Sequence, residues 1–470
     1  MTHTRESIVI RLYDTLTGDV RPLAQRDEGK VSLYACGPTV YDHPHLGHAR
    51  QAMTYDVMRR YFEWRGLAVH HVANVTDIDD KIIARAQAEN TTESAVATEW
   101  KQVYDDVMDA LDILRPHDRP HATEYVEEMV EFIQTLIDNG SAYANDSGVY
   151  LRVHTVDGYG DLVHRSLDDL REGAGARVEV DDTKEDPLDF ALWKAAKPGE
   201  PTWPSPWGDG RPGWHIECVA MSLGILGDGF DLHGGGNDLV FPHHTNERAE
   251  AIAAGRDFAQ HWAHNAMLNI SGEKMSKSLG NFTTIQTLLD EHPDNARALR
   301  LALLQTHYRK VMELNPDVMA QSREGLKRLD AMVRKASGAD VPLDGAERDA
   351  DAITAFTSAM DDDLGTPEGV ATMFETIRRA NAALDAGDDA AAMLVATAID
   401  LAGAMGLSVG PDGLGSGGDG DDPEIDALVS ARTEARANKD FAEADRIRDE
   451  LTARGIVVED TPNGPVWHRG

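Results

Sequence analysis

Apolar positions near the start of the chain form a short unbroken run and then recur at helical spacing. "VSLYACGPTVYD" (31–42) predicts an apolar strand ending in a Gly-Pro turn, and "HARQAMTYDVMRRYFEW" (48–64) predicts the helix that follows. A second strand is expected in "AVHHVANVTDIDDKII" (68–83), then a long helix to about Leu114. This is the βαβ rhythm of a parallel sheet. From about 116 to 213 the pattern changes. A helix, "ATEYVEEMVEFIQTLIDNG", short strands such as "GVYLRV" and the turn-rich "AAKPGEPTWPSPWGDGRPG" read as an insertion.

The strand and helix pattern returns from Trp214 to about Asn281, which would complete the interrupted sheet. Residues 290–409 read as helical throughout, with Ala, Leu and Met repeating at three and four. "GPDGLGSGGDGDD" (410–422) has the composition of a flexible linker. One helix, "EIDALVSARTEARANKDFAEADRIRDELTARG", and a hairpin turning at Asn463-Gly464 close the chain. The expected division is 1–115, 116–213, 214–289, 290–409, 410–424 and 425–470, with no internal repeat.

Composition narrows the class. The chain has 470 residues, enough for several cores, and no apolar run long enough to cross a membrane. Its first residues lack the pattern of a secretory signal, and two cysteines make no disulfide framework, so a cytoplasmic location is expected. Forty-five basic against 81 acidic residues leave a net charge of −36, and only 12 of the basic residues are lysines. Such a surface suits high salt and points to a halophilic, archaeal source. It argues against non-specific nucleic-acid binding but leaves room for a local groove built from Arg.

Three stretches carry chemistry. "HPHLGHAR" (43–50) holds three histidines, and His45 and His48 share a helix face, a spacing that permits metal binding. Its place after a strand and a glycine turn favours phosphate, because a helix N-terminus offers N–H groups and a dipole to an anion. "SGEKMSKSLGN" (271–281) puts Lys274 and Lys277 on a Gly- and Ser-rich loop, where lysines act as point charges on phosphates. Cys36, Cys218, and His243 with Glu247 four residues on form a set of zinc-type donors. Spacing alone matches no short zinc-finger pattern. Buried cysteines acting as small hydrophobes, beside a surface His–Glu pair, are the alternative reading.

Together these stretches resemble the class I aminoacyl-tRNA synthetases, and among them the cysteinyl-tRNA synthetase family. "HLGH" resembles the HIGH motif, and "KMSKS" (274–278) is identical to the second signature. "CGPTVYDHPHLGHAR", "VTDIDDKII", "GWHIEC", "DLHGGGNDLVFPHHTNE" and "MDDDLGTP" follow in the family's order, from about residue 8 to the C-terminus. The resemblance implies an α/β fold: a Rossmann-type parallel-sheet catalytic domain with an α+β insertion, a helical domain and a small C-terminal α/β anticodon-binding unit.

It also implies one Zn²⁺ per chain on Cys36, Cys218, His243 and Glu247. ATP, with Mg²⁺, is expected at His45, Gly47, His48, Asp238, Lys274, Ser276 and Lys277. His45, His48, Lys274 and Lys277 are the expected catalytic groups. Cysteine is expected at Gly37, Thr76, Trp214 and His233, and the tRNA(Cys) anticodon at Arg436, Phe441, Asp445 and Asp460. Phe441 departs from the bacterial pattern, which has Trp there; a phenyl ring still stacks on a base, over less area.

The implied reaction joins L-cysteine and ATP into cysteinyl-adenylate and transfers it to the tRNA 3′ end, in a monomer without a membrane partner. The substrate carboxylate is the nucleophile, so alignment and charge stabilisation are what the protein must supply. A zinc site prefers a thiolate to a hydroxyl, with His233 a candidate for the proton's route, and this would make editing unnecessary. Two other readings stand beside it. A ligase joining cysteine to a small amine would lack the C-terminal unit, and a non-catalytic zinc and tRNA-binding module would need neither signature.

Overall fold

The computed structural model describes residues 9–174, 183–270, 273–274, 284–409, 423–437, 440–454, 456–461 and 464–469. The chain forms two compact units. The first comprises residues 1–296, 306–315 and 361–365. At its centre is a four-stranded parallel sheet in the order His261–Asn265, Leu232–Gly236, Lys30–Ala35, Ala68–Ala73. Lys30–Ala35 is buried along nearly its whole length, as a strand covered on both faces must be.

The strand order reverses beside Lys30–Ala35: the chain goes first to Ala68–Ala73 on one side and later to Leu232–Gly236 on the other. Helices leaving the two strands on opposite sides open a crevice at their C-terminal ends. Cys36 follows one of these strands and Asp238 the other. The second half of the sheet returns after the insertion, as the apolar pattern indicates. Within that insertion Ala142–Asn145, Gly148–Leu151, Phe190–Ala195 and Gly210–Pro212 form an antiparallel sheet.

Four local expectations are corrected. The long helix to Leu114 is two helices, Asp80–Glu89 and Glu93–Ala110. Asn90 ends the first in the left-handed region (φ 53°), and the Thr92 hydroxyl caps the second by accepting from the Ala95 N–H. The 290–409 stretch is not helical throughout, because Met312–Leu314 pairs in parallel with Leu268–Ile270. The final helix is also two, Pro423–Ala437 and Phe441–Ala453. In the closing hairpin Gly464 pairs with Thr461, so it lies in the strand rather than in the turn.

The second unit comprises residues 297–305, 316–360 and 366–470. The helices Pro316–Gly338, Ala350–Met360, Thr366–Ala386 and Ala391–Ala404 bury Leu326, Phe356, Met373 and Leu401. Residues 423–469 hold a small core of their own, Ile425, Val429, Ile447, Leu451 and Ile456.

Candidate functional site

A cavity of about 420 Å³ occupies the crevice, lined by Cys36, Gly37, Asn74 and Trp214 and by His45, His48 and Asp238, among others. The histidine pair heads the helix Leu46–Trp64, two residues longer at its start than the apolar pattern marks. His45 caps it. The His45 Nδ1 accepts from the Gly47 N–H (3.1 Å), and the His48 Nδ1 accepts from the His45 N–H (3.1 Å). Both rings therefore carry their proton on Nε2. They stack at 3.8 Å, and burial keeps both neutral: the pKa of His45 is lowered, and that of His48 falls to about 3, helped by His45 and Lys81.

On the other side Cys36, Cys218, His243 and Glu247 converge, all buried, each with one donor atom within 4.8 Å of the others. The two Sγ atoms are 3.7 Å apart, too far for a disulfide. Cys36 Sγ lies 3.4 Å from Glu247 Oε1, Cys218 Sγ 3.5 Å from His243 Nε2, and His243 Nε2 3.0 Å from Glu247 Oε1. A tetrahedral zinc site with ordinary bond lengths has donor–donor edges of about 3.3–3.8 Å. The donor set and its spacing fit that ion. Burial pushes the Cys36 thiol well up, with Cys218 and Glu247 adding to it. The Cys36 hydrogen bond pulls Cys218 down, but burial and the Glu247 and Glu217 carboxylates raise it to about 11. A bound dication reverses this preference for the thiol.

His243 sits in a single wide turn, Val240–His244, ahead of the helix Thr245–Ala253, and still meets Glu247 four residues on. Its Nδ1 lies 2.8 Å from His215 Nδ1, and Trp214 stacks on its ring at 3.9 Å. Such partners orient a metal-binding imidazole. A second grouping shares Cys36 and Glu247 but takes His233 and His244. His244 Nε2 is 3.2 Å from Cys36 Sγ, and its Nδ1 is 2.7 Å from His264 Nε2. The first grouping holds both sulfurs, the softer donors.

The description "tRNA synthetases class I (C) catalytic domain" matches residues 22–324, "DALR domain" matches 355–409, and "Cysteinyl-tRNA ligase anticodon binding domain" matches 419–467. A cysteine–tRNA ligase of Alkalilimnicola ehrlichii is 47% identical over 469 residues, covering 98% of this chain and 100% of that protein. One from Geobacillus thermodenitrificans is 45% identical, covering 98% and 99%. The chain belongs to the cysteine–tRNA ligase family. Its fold is also that of the Mycobacterium tuberculosis methionyl-tRNA synthetase, at TM-score 0.57 and 16% identity over 80% of this chain and 89% of the other.

For a cysteine–tRNA ligase the residues expected to hold cysteine are divided. Gly37 and Trp214 line the cavity, whereas Thr76 and His233 do not. The Thr76 hydroxyl accepts from the Asn74 amide at 3.2 Å, and Asn74 Oδ1 accepts from the Gly37 N–H at 2.8 Å, so Thr76 acts on the cavity through Asn74. His233 lies behind the cluster, its Nε2 2.7 Å from Glu247 Oε2 and its ring stacked on Trp262. Lys274 pairs with Asn269 on a short strand. Ser276 and Lys277 lie outside the described residues, as do the side chains of Lys274, Arg436, Phe441, Asp445 and Asp460.

Sequence reasoning missed His244, Asn74 and Gln51, whose Nε2 donates to the Cys36 carbonyl at 2.6 Å. A signal existed for His244, which stands three residues before Glu247 on the same helical face. None existed for the other two.

Proposed function

We propose that this cysteine–tRNA ligase activates cysteine across this cavity, with the Cys36 side holding the thiol and the His45–His48 side holding ATP. Cysteinyl-adenylate forms first, and its aminoacyl group then passes to the 3′ end of tRNA(Cys). What supports this reading is that Cys36 and His48 line the same cavity. The cysteine carboxylate attacks the α-phosphorus, so the chain needs no nucleophile of its own. Both imidazoles carry the proton on Nε2 at a helix N-terminus, where they can donate hydrogen bonds to phosphate; burial lowers the pKa of each, that of His48 to about 3. Asp238 serves the adenosine, Lys274, Ser276 and Lys277 the phosphates, and Arg436, Phe441, Asp445 and Asp460 the anticodon.

Cys36, Cys218, His243 and Glu247 would hold Zn²⁺, which supplies a soft Lewis acid that favours a substrate thiolate over a hydroxyl. Gly37 brings the backbone against Asn74, and Trp214 covers His243 at the cavity edge. His215 holds the far side of the His243 ring.

The test pairs two measurements on Cys218→Ala. Zinc content should fall from about one per chain, and cysteine-dependent ATP–pyrophosphate exchange should collapse. Stoichiometric zinc with normal exchange in that variant would refute the ligand assignment. Accumulation of seryl-adenylate by the wild-type enzyme would refute thiol selection at the activation step.

A further inference from the structure

Among the described residues, four cationic side chains line the cavity: Arg50, Lys81, Arg115 and Arg119. Three of them are engaged. Arg50 donates to the carbonyls of Ala266, Tyr308 and Lys310. Arg115 pairs with Asp105 and Asp109, and Arg119 with Asp105. Among the described residues the Lys81 ammonium makes no ion pair; its recorded contact is the face of Tyr41, another cavity residue, 5.3 Å from the ring centre. The nearby carboxylates have other partners. Asp42 pairs with Arg85 at 3.2 Å, and Asp80 holds Lys194 and Arg211.

Lys81 sits in the first turn of the helix Asp80–Glu89, its backbone N–H taken up by the Asp79 cap at 2.9 Å. The ammonium is thus presented to the cavity from a fixed backbone, close enough to His48 to help keep that imidazole uncharged. Activation gathers the charge of a triphosphate beside two neutral histidines, and a phosphoryl centre of that kind is stabilised by cations. There Lys81 would add its charge to those proposed above for Lys274 and Lys277.

We infer that Lys81 is a further catalytic residue of the activation step, its ammonium meeting the β- and γ-phosphates of ATP. This rests on the reading of the cavity as the site of adenylate formation. As the cysteine carboxylate oxygen bonds to the α-phosphorus, the bond from that phosphorus to the bridging oxygen breaks and its electron pair leaves on pyrophosphate. Lys81 transfers no proton. It offers charge-assisted hydrogen bonds to the oxygens on which that charge collects.

Lys81→Ala and Lys81→Arg in the full-length protein test this, read by cysteine-dependent ATP–pyrophosphate exchange, by the KM for inorganic pyrophosphate in the reverse direction and by Tm. Lys81→Ala should slow exchange by about 10- to 100-fold, the usual worth of a hydrogen bond to a charged group. It should also raise the KM for pyrophosphate, while Tm and the rate of transfer from preformed cysteinyl-adenylate to tRNA stay as in wild type. Lys81→Arg, which keeps the charge, should recover most of the loss. Wild-type exchange in Lys81→Ala overturns the inference, as does an equal loss in both variants or a loss that tracks a lowered Tm. A loss confined to the transfer step assigns Lys81 to a tRNA phosphate and overturns it too. Absence of cysteine-dependent exchange in the wild-type protein would instead defeat the reading of the cavity itself.

Discussion

Arg50, two residues after the second histidine of "HLGH", offers a test of how the two signatures are held together. It is 2% exposed, with no carboxylate partner among the described residues. Its Nε donates to the Ala266 carbonyl at 2.7 Å, and its Nη2 to the Tyr308 and Lys310 carbonyls at 3.2 and 2.6 Å. Ala266 precedes the strand Leu268–Ile270, which pairs with Met312–Leu314 on one side and with Glu273–Lys274 on the other. The guanidinium thus ties the histidine helix to the root of the "KMSKS" segment. Arg50→Met keeps most of the stem and removes the donors.

Three hydrogen bonds from a charged group are worth about 1.5–3 kcal/mol each, or about 4.5–9 together. Against this stands the cost of burying the charge, which lowers the Arg50 pKa from the ordinary guanidinium value to about 10. At about 1.36 kcal/mol per unit that is about 3 kcal/mol regained in the variant. The net loss centres near 3 kcal/mol, a large share of the roughly 5–15 kcal/mol that holds a typical protein folded. Urea unfolding followed by tryptophan fluorescence should show the first midpoint lowered by about 1 M at a slope near 3 kcal/mol per M. Exchange assays should show a raised KM for ATP, with zinc content and the KM for cysteine little changed. An unchanged midpoint would refute the energetic argument. A defect in cysteine binding with normal ATP binding would refute the structural one.

Gly37→Ala places a Cβ 1.6 Å from the Asn74 carbonyl oxygen, a backbone atom that cannot swing aside. The loop must move, and the KM for cysteine should rise by at least about tenfold, as loss of one or two close contacts implies, with ATP binding less affected. The buried ring of His71 makes no hydrogen bond and has its pKa lowered from 6.5 to about 3, by burial first and by Arg59 second. The unfolded chain therefore takes up the proton first, so this stability is complete above about pH 6.5 and is lost as pH falls toward about 3. His71→Gln should flatten the decline of unfolding free energy between those limits by about 1.4 kcal/mol per pH unit, and an identical slope in the variant would count against a buried neutral His71. Truncation after Val409 removes a segment with its own core and leaves every cavity residue in place. Pyrophosphate exchange should survive while aminoacylation falls by orders of magnitude; equal losses in both assays would show that the segment stabilises the fold rather than reading the tRNA.

Local chemistry in the sequence was enough for much of this. The apolar run at Val31–Ala35, the turn after it and the periodic helix behind "HLGH" are set by neighbours a few residues apart, and burial and capping in the structure follow them. Return of the pattern after the insertion marked the second half of the sheet for the same reason. Where a helix stops was less legible. Asn90 and Thr92 end one helix and start another within the six polar residues 89–94, which a reading of one continuous helix passes over as a solvated turn of its exposed face.

Tertiary structure alone decided the cluster. Cys36 and Cys218 are 182 residues apart, and neither spacing nor composition brings their sulfurs to 3.7 Å. That meeting depends on Leu232–Gly236 pairing beside Lys30–Ala35, on the helix Trp214–Leu226 packing nearby, and on the turn that aims His243 inward. It decided likewise that Thr76 works through Asn74, and that His233 backs Glu247 rather than lining the cavity. A pattern along the chain records which residues seek burial. Which buried polar groups then face one another depends on strand register and helix packing between distant segments, because a donor atom displaced by one residue in a strand points to the opposite face of the sheet.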